Sequence, residues 1–334
     1  MDSAQDVIHV IVSIHDPKGT YSRHAGVVMA SIFENTKSPV CIHILHDRTL
    51  TEHNRCLLNE TAEPYGQGVE FHDVSALMEQ VSDGALQQAR KGGHSIGALF
   101  RLLIPEALPI DKVIYLDSDI VVNLDIQELW EVSLEGRSLA GVLDERPRRS
   151  RLSAAAFSRK LMGCDRKCYI NSGVLVMDIS RIRAKYDLVR QSDQWYKQYR
   201  HYSQLVDQDF INSCFRGDIK FIDGRFNNGN ARGDNGDNSI LHAMGVAKPW
   251  NALVGSTIDH YYWKMWLKTP WGHLEPDEIV GLMLDVAKNS SYTHRHTSQC
   301  YKKVLSRLWK EIFCNDVVRL VGLCFKYLYL KLRT

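Results

Sequence analysis

A short apolar run ends abruptly in two carboxylates in residues 113–124, V-I-Y-L-D-S-D-I-V-V-N-L. This placement constrains the fold. A run of this kind reads as a buried strand, and Asp117 and Asp119 then lie just past its end. Side chains two apart on an extended segment point to the same side, so both carboxylates can face one point. Such a point is a natural seat for a hard divalent cation, which prefers oxygen ligands. A half-exposed cation can also hold a phosphate. The same letters fit an ordinary turn, since Asp and Ser are common after strands.

The surrounding pattern supplies the context. Near-continuous apolar runs at 7–14, 40–45, 69–71, 139–142, 173–177 and 219–222 read as further strands. Helical spacing occupies 24–34, through Val27, Val28, Ser31 and Ile32, and also 51–63, 96–107 and 207–215, with Thr51 as an N-cap. This alternation predicts an α/β fold with a mainly parallel sheet. Ligands of such sheets bind outside the carboxyl ends of the strands, where Asp117 and Asp119 are expected. Residues 144–168, with Arg146, Arg148, Arg149 and Arg151, read as a surface excursion. The stretch 227–238, N-N-G-N-A-R-G-D-N-G-D-N, reads as loop.

The chain of 334 residues, 44% hydrophobic and 24% charged, has the composition of a soluble globular protein, and its length allows one large α/β domain or two. The net charge of +2 argues neither way about nucleic acid, and no motif calls for a nucleic-acid partner. Charge is unevenly spread. Residues 295–334 hold nine Lys or Arg against two acids, a balance of +7 that leaves about −5 on the rest. In that tail Tyr301, Val304, Leu305, Leu308, Trp309, Ile312 and Phe313 form one apolar stripe, with Lys302, Lys303, Arg307 and Lys310 off it. Two readings fit: an interfacial helix pair on an anionic membrane, or a pair packed on its own domain. The expected division is a catalytic domain over 1–275 and a basic helical region over 276–334, with the membrane contact assigned to 300–334. The N-terminus is polar and leads directly into an apolar strand, and no run reaches the roughly 18–20 apolar residues of a span. The expected location is cytoplasmic, with peripheral contact at the inner membrane face. Eight scattered cysteines do not form a disulfide framework, and Cys164 and Cys168 read as free thiols.

Three further motifs carry chemistry. His242-Ala-Met-Gly245-Val-Ala-Lys248-Pro249-Trp250 combines an imidazole suited to manganese, a glycine that lets backbone approach a ligand, and a lysine suited to phosphate. Asn171-Ser172-Gly173 opens a strand with small polar groups, and Asp207-Gln208-Asp209 opens a helix, where either Asp could simply be a cap.

Taken together, these residues resemble retaining glycosyltransferases of family 8, of the type that includes bacterial lipopolysaccharide galactosyl- and glucosyltransferases. The matching points are the first strand through Asp16, Phe100-Arg101-Leu102, Y-L-D-S-D at 115–119, N-S-G at 171–173, D-Q-D at 207–209 and H-x-x-G-x-x-K-P-W at 242–250, in that order over residues 6–270. The resemblance implies a GT-A fold: a Rossmann-like nucleotide-sugar-binding sheet, mixed but mainly parallel. It implies a UDP-sugar donor, Mn2+ or Mg2+ as cofactor, and a glycan or glycolipid acceptor such as lipopolysaccharide. Carried over by position, Asp117, Asp119 and His242 would hold the metal, with Ser118 between the carboxylates at the donor site. Lys248 and Gly245 would contact the diphosphate, and Arg101 the donor phosphate or sugar. Asn171, Asp207 and Gln208 would line the donor sugar, and Asp144 would touch donor or acceptor. The chain departs from the family after its first strand, where Ser13-Ile14-His15-Asp16-Pro17-Lys18-Gly19-Thr20 is longer than usual and Asp16 is the counterpart of the base-contacting acid.

Retention would need a nucleophile on the far face of the sugar or attack from the face of departure. The resemblance puts Gln208, a poor nucleophile, nearest, so same-face substitution is expected, with Asp207 as the fallback nucleophile or orienting group. Two alternatives remain at this stage. The D-x-D-x-V of Asp117, Asp119 and Val121 also resembles haloacid-dehalogenase-like phosphatases, with Gly233-Asp234 and Asp237 as a later acidic motif. A non-catalytic sugar-nucleotide binder is the other.

Overall fold

The computed structural model describes residues 6–273 except 82, 93–94, 145–158, 165, 204, 230–235, 246 and 253–256, together with 281 and 286. The amphipathic tail expected from 301 onward, and most of the arginine-rich excursion, lie outside the described residues.

Among the described residues the strands are β1 Ile8–Ile14, β2 Val40–His46, β3 Gly68–Asp73, β4 Lys112–Leu116, β5 Ile120–Asn123, β6 Leu139–Leu143, β7 Ile170–Asp178, β8 Ile219–Ile222 and β9 Ser239–His242. Seven form one sheet in the order β3-β2-β1-β4-β7-β6-β8, and β5 pairs with β9 in a second, two-stranded sheet. Strand β1 runs parallel to β2 and to β4, and β2 to β3. Strand β7 is antiparallel to both β4 and β6, while β6 is parallel to β8. The sheet is therefore mixed and mainly parallel, as expected.

Alternation along β1 explains the layers. Ile8, Val10, Val12 and Ile14 face one core, closed by Ala25, Val28, Met29 and Ile32 of the helix Ser22–Asn35 and Leu58 of the helix Glu52–Ala62. Ile11 faces the other core, with Tyr115, Leu103 and Phe210. Thr51 caps its helix as expected, accepting from the Asn54 backbone N–H at 3.2 Å.

The single helix expected over 96–107 is instead a 3₁₀ run, Ile96–Leu103, followed by a short α segment, Ile104–Ala107. Pro105 lies in the first turn of that segment, the place where a missing N–H costs nothing, so the chain restarts its helical pattern there. Strands β5 and β9 were not anticipated at all. They are short, and their sheet is anchored from below by a separate apolar cluster, Val27, Val121, Leu241, Ala243, Ile258, Tyr262, Met265 and Trp266. No helix among the described residues is long and apolar enough to cross a membrane.

From β1 the chain lays β2 and β3 on one side, then returns to lay β4 on the other. The carboxyl ends of β1 and β4 thus flank a topological switch point, where open α/β sheets bind ligands.

The chain near residue 270 folds back on the first helix, where Trp271 covers Gly26. A Cβ at Gly26 would lie 2.6 Å from Trp271 Cζ3. In a free helix Gly→Ala gains roughly 1 kcal/mol. Here Gly26→Ala should destabilise, and the sign should reverse in a Trp271→Ala background. Urea denaturation of the four-member mutant cycle checks this; the same gain in both backgrounds would mean that Trp271 does not seat on this helix.

Candidate active site

The link between the two sheets is Asp117-Ser118-Asp119. The Asp117 backbone N–H extends the β4–β7 ladder by donating to Gly173 O at 2.8 Å, and β5 begins at Ile120. Because Ile120 pairs with His242 and the Ala243 N–H donates to Asp119 O at 3.0 Å, the second sheet sets the imidazole beside the carboxylates. His242 Nε2 lies 3.2 Å from Asp119 Oδ1 and 4.0 Å from Asp117 Oδ2. Its Nδ1 meets Asn227 Oδ1 at 2.8 Å. With the proton on Nδ1 donated to that carbonyl, Nε2 presents its lone pair to the carboxylates.

One ligand atom from each of Asp117, Asp119 and His242 lies within 4.8 Å of the others. Two carboxylates with one imidazole suit a divalent ion such as Mn2+. The cradle is kept open by a missing side chain: a Cβ on Gly173 would sit 2.3 Å from His242 Cε1 and 2.8 Å from Asp117 Oδ2. The residues present fit a metal.

Charge around this cradle is balanced from below. Arg101, 4% exposed, donates from Nη2 to Asp117 Oδ1 at 2.7 Å and from Nη1 to Ser172 O at 2.5 Å, and its Nε lies 3.2 Å from Asp207 Oδ2. The guanidinium also lies 4.4 Å over the Tyr115 ring, whose hydroxyl donates to Asp117 Oδ1 at 3.0 Å. Burial opposes the charge on Arg101, but Asp117 and Asp207 outweigh it and hold its pKa above the ordinary value. The two metal-side carboxylates are driven apart. Burial, with Asp119 and Asp207 nearby, raises Asp117 against the pull of Arg101 and His242. Burial also works against ionised Asp119, but Lys248 and His242 prevail and hold it well below the usual carboxylate range. The Lys248 ammonium pairs directly with Asp119 Oδ2 and donates to Ala243 O at 2.7 Å.

Beside the cradle lies a chain of buried amides. Asn227 Nδ2 donates to Asn171 Oδ1 at 2.8 Å, Asn171 Nδ2 to Gln208 Oε1 at 3.0 Å, and Gln208 Nε2 to Asp144 Oδ2 at 3.1 Å. Asp207, in the first turn of the helix Val206–Cys214, does not cap it: its Oδ2 accepts from Ser172 Oγ at 2.9 Å and faces Arg101. Gly245 has φ +117°, a conformation reserved for glycine, and no atom within 4 Å of where a Cβ would be.

Asp16 is 1% exposed, and its carboxylate accepts from the backbone N–H groups of Thr20, Tyr21 and Ser22, from Ser22 Oγ and from Asn54 Nδ2. The structure thus uses Asp16 to shape the loop entering the first helix. That loop delivers Tyr21 to Ser118, and burial, with Asp119 beside it, raises the Tyr21 hydroxyl pKa. His15 pairs with Asp47 at 2.6 Å at the ends of β1 and β2.

Tyr115, Tyr21 and Asn227 are site residues that sequence reasoning missed. Strand parity offered Tyr115, two before Asp117. Asn227 gave no signal, because it opens an Asn/Gly-rich stretch that reads as loop; it is in fact buried, 4% exposed, at the end of the 3₁₀ turn Gly224–Asn227.

The model of "Glycosyl transferase family 8" matches residues 16–253. A Haemophilus influenzae protein with a glycosyltransferase name is 26% identical over 208 residues, 62% of this chain and 60% of that protein. Galacturonosyltransferase-like protein 4 of Arabidopsis thaliana is 32% identical over 173 residues, 46% of this chain and 49% of that protein. The chain thus spans about half to three-fifths of the length of these relatives. Among solved structures, the galactosyltransferase LgtC with donor and acceptor sugar analogues superposes with a TM-score of 0.67 at 21% identity, covering 82% of this chain and 100% of that one. This likeness gives the fold: a GT-A-like α/β architecture. The family match excludes the phosphatase alternative.

Asn227→Ala removes the group that orients His242 without touching a ligand. It should weaken Mn2+ binding by about 10–100-fold, the usual effect of losing such an outer partner. Calorimetric titration of Mn2+ measures it, and an unchanged affinity would mean that Asn227 does not orient the imidazole.

Proposed function

Since the chain belongs to glycosyl transferase family 8, we propose that it moves a hexose, galactose or glucose, from a UDP-sugar to a glycan or glycolipid acceptor such as lipopolysaccharide, with retention of configuration. The observation that supports this reading is the convergence of Asp117, Asp119 and His242 at the switch point of the sheet, with Lys248 at their side.

Asp117, Asp119 and His242 would hold Mn2+ or Mg2+, and the bound ion supplies positive charge to the diphosphate leaving group. Lys248 adds a second positive charge at the same place. Gly245 lets its backbone approach the phosphates. Arg101 and Asp16 act as positioning residues: the first fixes Asp117 and Asp207, the second fixes the loop that brings Tyr21 to Ser118 on the nucleotide side.

The sugar side is lined by Asn171, Asp144, Asp207 and Gln208. Gln208 is held at both ends of its amide, accepting from Asn171 and the Ser172 N–H and donating to Asp144. A fixed neutral amide can stabilise a developing positive sugar but is a poor nucleophile. Asp207 is engaged by Arg101 and Ser172, which favours an orienting role over attack. Same-face substitution follows: the acceptor oxygen bonds to the anomeric carbon as the phosphate oxygen leaves, and that oxygen takes the acceptor's proton. The catalytic domain is assigned to 1–275. The basic helical region is assigned to 276–334, and its residues 300–334 to contact with an anionic membrane, placing the enzyme peripherally on the cytoplasmic side.

UDP release from UDP-galactose, UDP-glucose and UDP-galacturonic acid, each with Mn2+, tests the reading. One donor should be turned over. Gln208→Ala should lower kcat about 100-fold while leaving the donor KM within a few-fold. Release of UDP from none of the three would overturn the assignment, and an unchanged kcat in the variant would make Gln208 structural.

A further inference from the structure

A second cluster of metal-binding side chains crosses β1, β2 and β3. His9 on β1 is in register with Cys41 on β2, and His43 on β2 with Glu70 on β3. In parallel strands, residues in register and those two further along share a face. His9, Cys41, His43, Glu70 and His72 therefore lie on one face of three adjacent strands. His9 falls opposite Val113, since Val10 pairs with Ile114, so His9 lies about 13 Å along the strand direction from Asp117, and the cluster runs diagonally from it across β2 to β3.

The contacts are close. His9 Nδ1 meets His43 Nε2 at 2.9 Å, and His43 Nδ1 meets His72 Nε2 at 3.1 Å and Glu70 Oε2 at 3.3 Å. One ligand atom from each of His9, Cys41 and His43 lies within 4.8 Å of the others. Ligand atoms on a tetrahedral zinc ion are about 3.3–3.8 Å apart, so small side-chain rotations close the site.

We propose that His9, Cys41 and His43 form a second metal site, selective for Zn2+, that staples β1 to β2, with Glu70 and His72 as its outer partners. The donor set, two imidazoles and one thiolate, is borderline-soft and differs in kind from the oxygen-rich cradle at Asp117 and Asp119. His43 has two distinct ring nitrogens. Nε2 faces His9 and takes the metal, while Nδ1 meets His72 Nε2 at 3.1 Å with Glu70 Oε2 3.3 Å away, outer partners of the kind that fix a ligating histidine's tautomer and ring. The Cys41 thiol is pushed up to about 11 by burial and by Glu70, so binding must expel its proton to solvent as the Zn–S bond forms. Glu70 is exposed and the cluster is half open, which gives the ion an entry path and a water as fourth ligand.

Cobalt(II) reports such a site, because only thiolate ligation gives an intense near-ultraviolet sulfur-to-cobalt band. The untagged full chain carrying Asp117→Asn and Asp119→Asn, which silences the first cradle, is titrated with Co2+. One ion per chain should bind with that band, and Zn2+ should displace it. Cys41→Ser should abolish the band, and Glu70→Gln, which keeps all three ligands, should retain the band while weakening Co2+ binding by about 10–100-fold. Absence of the band, or its survival in Cys41→Ser, would overturn the proposal and leave the three histidines as a hydrogen-bonded ladder. Circular dichroism of the Cys41→Ser chain separates a lost ligand from a lost fold.

Discussion

Three carboxylates gathered at one end of β4 are the constraint on which the site is built. Asp117, Asp119 and Asp207 would repel one another, and each is largely removed from water. Arg101 sits between Asp117 and Asp207, and Lys248 and His242 attend Asp119. Buried ion pairs seldom repay their desolvation. This concentration of charge is thus better explained by what the site must hold than by stability. Each partner is delivered by a different element: Arg101 by the 3₁₀ run, His242 by the last residue of β9, and Lys248 by the loop beyond it.

A second constraint ties the carboxylate–imidazole cradle to the buried amides beside it. From His242 a continuous chain of hydrogen bonds passes through Asn227, Asn171 and Gln208 to Asp144. Every amide in it is oriented by its neighbours, so the imidazole that faces the cradle and the Gln208 amide are set as one unit. Gly173, between Asn171 and the cradle, is the gap that lets both sides approach.

Much of this was legible in the sequence. The apolar run into Asp117 and Asp119 marked both the strand and the cradle, and strand–helix alternation gave the sheet. The order of the short motifs pointed to His242, Lys248, Asn171 and Gln208. What was hidden depends on long-range pairing. Strands β5 and β9 have four residues each and lie 115 or more residues apart, too short and too distant for periodicity to reveal, yet their pairing brings His242 to Asp119. Asn227 looked like loop because composition cannot show that an amide is buried by its partners. The resemblance set Arg101 at the donor phosphate or sugar; that it also binds Asp117, Ser172 O and Asp207 depends on the fold of the 3₁₀ run that carries it. Nothing in the sequence marked the His9–His43–His72 diagonal, because only the parallel register of three strands puts the three on one face.

The central claim is that Asp117, Asp119 and His242 make a metal-dependent nucleotide-diphosphate site at the switch point. Calorimetric titration of UDP into the full chain, with Mn2+ and then with EDTA, tests it most directly. The account predicts binding with Mn2+ that is lost with EDTA. Equal binding in both conditions, or none in either, would contradict it.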